Sequence, residues 1–268
     1  MGNGGWQGSA RWVAGLVGAS FQVGATVAAG AVISEVVSGG PPSLVEPAGY
    51  AFGVWAMIFV LSLLFAGYQA LPANRESAVL RRVGWPVAGA FVCTGLWSVS
   101  VALRQIGFAQ VMLLGIFACL LVAYLRLARS DAGVLGRAGR WLVSLTVGSF
   151  LGWVTAANAV SLTSEAVRLG LVDARGTGEV VVGSALLVSG GLLAAAITRA
   201  GRNGPPQGYV AFAATVLWAL VAIVAAQHGA SVVTAAAAVV AALPVLVSLL
   251  RGGRTRPGAR RAARARVA

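Results

Sequence analysis

The sequence has no lysine, one histidine and two cysteines, and only 10% of its 268 residues are charged. A soluble domain carries about a quarter of its residues as charges. So few cannot cover a surface that faces water. The lone His228 and the thiols Cys93 and Cys119 form no His/Cys/Asp/Glu cluster with metal-ligand spacing, so no metal is expected. Both cysteines fall inside apolar runs, where small buried residues are the ordinary reading, ahead of a disulfide. Ser-His-Asp and zinc motifs, a Walker A loop and a dinucleotide fingerprint are all missing, so nothing points to an enzyme or a required cofactor. Ionisable residues are also missing from the middle of every apolar run. Glu35, Glu46, Glu165 and Glu179 lie at run ends, where water is expected to reach them. That disfavours proton-coupled transport and carboxylate hydrolysis, which need a charge at depth.

What the chain has is apolar length. Hydrophobic residues make up 58% of it, and about 20 such residues in a row cross a bilayer as a helix. Spans are expected at 12–34, 48–71, 84–103, 106–125, 141–163, 180–198, 207–226 and 230–250. The fold class is all-α, a polytopic membrane bundle of about eight helices with the lipid bilayer as its solvent. The first six spans are bracketed by charges. Gln227-His228-Gly229 divides the last two as a tight turn.

Arginine placement supplies an independent check. With the N-terminus cytoplasmic, 17 of the 20 arginines fall in cytoplasmic segments; only Arg104, Arg168 and Arg175 fall outside. The positive-inside rule predicts that asymmetry. The expected location is therefore the cytoplasmic (inner) membrane, with both termini cytoplasmic. The net charge of +13 sits between spans and in the tail, so no nucleic-acid partner is expected. The basic tail 251–268 reads as a disordered flank that touches anionic lipid.

Uncharged polar groups and aromatics carry the functional signal. Gln22 and Asn158 lie within the first and fifth spans, and Gln69 ends the second. An amide unpaired in hydrocarbon is costly, so each faces other helices or a ligand. Trp12, Trp85 and Trp141 sit at span starts, as interfacial residues do. Trp55, Trp97 and Trp153 lie deeper, where they either pack the bundle or line a pocket for a flat apolar ligand. Gly49/Gly53 and Gly148/Gly152 form G-x-x-x-G pairs. These suit close packing within the chain, with a homodimer face as the alternative. Pro244 is expected to kink the eighth span or end it early.

Three segments resemble the TspO/MBR family, the tryptophan-rich sensory or translocator proteins. Pro47-Ala-Gly-Tyr-Ala-Phe-Gly-Val-Trp55 is similar to its second-helix entry. Leu96-Trp97-Ser98, followed by Arg104-Gln105-Ile106-Gly107, is similar to its third helix and the turn into the fourth. Gly152-Trp153-Val-Thr-Ala-Ala157-Asn158 is similar to its fifth. The chain departs in having Tyr50 for the tryptophan before Phe-Gly, a Phe52-to-Trp55 spacing one residue short, and Thr94 and Ser161 where asparagines are usual. The resemblance covers about residues 10–165 and implies a five-helix bundle at 1–165. A three-helix transmembrane extension at 166–250 and the tail at 251–268 follow it, the extension reading as a packing or oligomerisation module. It further implies a pocket for a hydrophobic small molecule, a tetrapyrrole (haem or porphyrin) or a sterol-like ligand, used in sensing or transport. Tyr50, Phe52, Trp55, Trp97, Trp153, Asn158 and Gln22 are the expected ligand-binding residues. A small-solute or lipid transporter and a membrane scaffold are the rival readings.

Overall fold

The computed structural model describes residues 3–38, 43–130 and 135–252. The basic tail falls outside them from residue 253 on. Eight helices follow one another: α1 (Asn3–Ser38), α2 (Val54–Ala70), α3 (Ala78–Ala102), α4 (Ile106–Ala128), α5 (Gly136–Arg168), α6 (Thr177–Gly201), α7 (Pro206–Gln227) and α8 (Val232–Gly252). Each is long and apolar enough to cross a membrane. Among the described residues there is no strand. In hydrocarbon the backbone must satisfy itself, and helices do so within one segment.

The helix ends follow from local sequence. Ser77 caps α3, its hydroxyl accepting from Leu80 N–H at 3.5 Å, as N-cap serines do. Gly170 ends α5 at φ 69°; its N–H reaches Val167 O, and Leu171 N–H reaches Ala166 O at 2.9 Å. That is the paired bonding of a Schellman stop, for which glycine carries no Cβ penalty. α7 closes at Gln227 and a turn follows, as the dividing tripeptide predicts. Pro244 does not end α8, which continues to Gly252. Pro86 is likewise accommodated within α3.

α5 is the central helix: most of its span is buried inside the bundle, whereas less than a quarter of the α1 span is. α1 packs on α3 and α2, α3 on α4, α4 on α5, and α6 on α8. α7 lies along α5 because Gly148 and Gly152 leave room for its backbone. A Cβ at Gly152 would stand 2.5 Å from Phe212 O, and one at Gly148 would strike Gly208 O. This G-x-x-x-G pair therefore serves contact within the chain. Gly49 and Gly53 do not: they lie in a 3-10 turn before α2, with nothing near either Cβ position.

Two charged residues near span ends are buried. Arg11 is 1% exposed and donates to Arg75 O at 2.7 Å. Glu179, expected at a wet end, is 2% exposed; the connection between α1 and α2 lies over it. Glu35 keeps to expectation, in an exposed pair with Arg104 at 2.8 Å.

Candidate functional site

From Ser43 the chain makes a turn at Leu44–Val45, with Glu46 N–H on Ser43 O at 3.2 Å, then tightens into the 3-10 turn Gly49–Gly53 and enters α2 at Val54. That path places Phe52 and Trp55 at one end of the bundle, facing α3 and α5. Trp97 stands on α3, and Trp153 at mid-α5. The four rings meet. Trp55 and Trp97 are stacked, with centroids 6.0 Å apart and planes at 19°. Trp153 meets Trp55 edge-on at 6.3 Å and Phe52 at 5.7 Å. Edge-on and offset contacts are the favourable aromatic geometries.

These rings line a cavity of about 390 Å³, within the range of small-molecule pockets. Its walls are helix faces. Ile106, Ala109, Gln110 and Leu113 come from α4, spaced as one face of a helix requires. Trp153, Ala156, Ala157, Val160 and Ser164 repeat that spacing on α5, and Ala219 and Ile223 do so on α7. Alanines at 156, 157 and 219 keep the space open. The other end is polar: Ser43, Glu46, Arg175 and Glu179 line it.

The sequence-expected residues divide. Phe52, Trp55, Trp97 and Trp153 line the cavity together. Tyr50 turns away, 53% exposed, with its ring edge-on to Trp218 of α7 at 5.4 Å. Asn158 stands behind the wall: its Oδ1 accepts from Gln110 Nε2 at 3.3 Å, and its Nδ2 donates to Val154 O at 2.8 Å. Gln22 is fully buried on α1, away from the cavity lining, and its amide has no hydrogen-bond partner among the described residues.

Sequence reasoning passes over Gln110, which joins Asn158 to Ser161; the Ser161 hydroxyl donates to Gln110 Oε1 at 2.5 Å. Its signal, an amide inside an apolar run, is the one that singles out Gln22 and Asn158. Ser161, where the resembled family has asparagine, thus shares one network with the early Asn158. Trp153 stands out in another way. It is 3% exposed, and its Nε1–H has no partner among the described residues. An indole nitrogen only donates, so this group is left for an acceptor.

The polar end is held by helices the motifs do not reach. Glu179 of α6 accepts from Ser43 Oγ at 2.5 Å, Leu44 N–H at 2.9 Å and Arg175 N–H at 2.5 Å. Gln227 of α7 donates to Ser43 O at 3.1 Å and Glu46 O at 2.9 Å. Ala48 N–H reaches Ala222 O at 3.0 Å. Glu46 is half-buried, and that burial raises its carboxyl above the usual range, against a backbone hydrogen bond near Ser43 that lowers it.

Residues 13–250 match the family described as TSPO-like protein, so the chain belongs to it, α6–α8 included. No curated protein and no solved structure matches the chain.

Proposed function

We propose, taking membership of the TSPO-like family as the premise, that the cavity binds a flat hydrophobic ligand of the tetrapyrrole or sterol-like class, for sensing or transport across the bilayer. The observation that carries this reading is the convergence of Phe52, Trp55, Trp97 and Trp153, from three helices and the turn before α2, on one cavity of about 390 Å³. Aromatic faces stack on a planar ligand and contribute beyond the area they bury. The unpartnered Trp153 N–H supplies an orienting donor, the kind of sparse polar contact that fixes a ligand in an apolar pocket. The arginine asymmetry supports cytoplasmic termini, which turns the polar end of the cavity to the outside.

The test is a titration of the purified protein with protoporphyrin or haem, read by tryptophan fluorescence. Saturable quenching is expected, weakened in Trp55→Phe and Trp153→Phe. Quenching that never saturates, or that ignores both substitutions, overturns the reading.

A further inference from the structure

The segment Ser43–Phe52 has two sides. One side lines the cavity through Ser43, Glu46, Pro47 and Phe52. The other is fastened to α6 and α7. Its attachments to Glu179 come from a side-chain hydroxyl and a backbone N–H. A second fastening is steric and independent of these bonds. Val45 is fully buried and fills the notch that Gly183 leaves on α6, where a Cβ would collide with Val45 Cγ1. The turn before α6 meets the same carboxylate: Arg175 sits at φ 56°, a region costly for a residue with a Cβ. That backbone delivers the Arg175 N–H to Glu179.

We propose that Glu179 is a positioning residue, the clasp by which α6 holds this strap over the cavity, and that ligands enter and leave when the clasp opens. Hydrogen bonds to a buried carboxylate are strong, yet a single carboxylate collects all three. Losing it frees the Ser43–Leu44 end of the strap and the Arg175 turn together, while α7 still holds the segment through Gln227 and Ala222. α6, beyond the segments that carry the family pattern, then has a role at the site: it sets how often the polar end opens. This takes the cavity as the binding chamber, but its test needs no ligand.

Ala156 lines the cavity and is buried. In a Cys93→Ala, Cys119→Ala background, Ala156→Cys reports cavity opening through its rate of labelling by a water-soluble maleimide in nanodiscs. Slow labelling is expected, at least about tenfold faster when Glu179→Gln weakens the clasp. Gly183→Ala should speed it by displacing Val45. Adding Val45→Ala, which removes that clash without touching Glu179, should slow it again. Equal rates in the parent, Glu179→Gln and Gly183→Ala overturn the clasp, as does a Gly183→Ala effect that Val45→Ala leaves unchanged. If the clasp behaves as expected but porphyrin quenching does not saturate, the ligand reading alone falls.

Discussion

Trp55 of α2 and Trp97 of α3 lie nearly parallel, with ring centroids 6.0 Å apart and planes at 19°. Phe150 closes on Trp55 edge-first at 5.8 Å, so the rings are packed against one another. Under the proposed function, such a wall would lose little side-chain freedom on binding, and preorganisation of this kind raises affinity by lowering its entropic cost.

Trp153 separates stability from binding. Its N–H is buried with no partner among the described residues, so Trp153→Phe removes an unsatisfied donor along with part of a ring. The two effects on folding oppose each other, and the midpoint of thermal unfolding should move little. Affinity for a ligand with a carbonyl or carboxylate acceptor should fall by about two- to tenfold, the worth of one hydrogen bond. A hydrocarbon ligand of the same shape should be spared. Paired titrations with the two ligand types make the comparison; an equal loss for both would mean that the N–H orients nothing.

The two glycine pairs, identical as motifs, should respond differently to alanine. At Gly152 the new methyl would meet Phe212 O at 2.5 Å and Thr215 Cβ at 3.1 Å. Overpacking of this sort costs about 1–3 kcal/mol. Gly49→Ala and Gly53→Ala point into open space and should stay within about 0.5 kcal/mol of the parent. Denaturation in mixed micelles checks the contrast.

That contrast marks how far the sequence could be read. Span positions were legible because hydropathy and arginine placement report the bilayer directly, and the eight helices bear them out. The ring wall was legible because Phe52, Trp55, Trp97 and Trp153 carry the family pattern. Whether a G-x-x-x-G faces a helix depends on where the helix begins, and α2 begins only after Gly53. Glu179 was misread for a related reason. A carboxylate at a span end meets water unless another segment lies on it, and that segment, Ser43–Leu44, is more than 130 residues away in the chain. Contacts across such a separation leave no periodic trace. Gln110 was a different kind of miss, since its local signal was present.

Asn158, Gln110 and Ser161 should behave as one unit. Asn158→Ala leaves Gln110 Nε2 without its acceptor in a buried setting, and Ser161→Ala removes the donor to Gln110 Oε1. Each alone should cost about 1–3 kcal/mol. Against Gln110→Leu, a double-mutant cycle for either residue should show a coupling of about 0.5–3 kcal/mol. Strict additivity would mean that the bonds contribute nothing together.

Glu46 gives the protein a pH dependence whose sign is fixed by its surroundings. Burial holds its carboxyl above the usual range in the folded state, so the folded protein binds the Glu46 proton more tightly than the unfolded chain does. Linkage then makes this contribution favour folding. It is fully present below the unfolded carboxylate value and is lost as pH rises through the higher folded one. Unfolding midpoints compared between Glu46→Gln and the parent, over about pH 4 to 8, isolate the effect. The parent should lose stability relative to Glu46→Gln as pH rises, because only the parent must carry a half-buried charge. A constant difference between the two across that range would mean that the burial of Glu46 does not couple folding to pH.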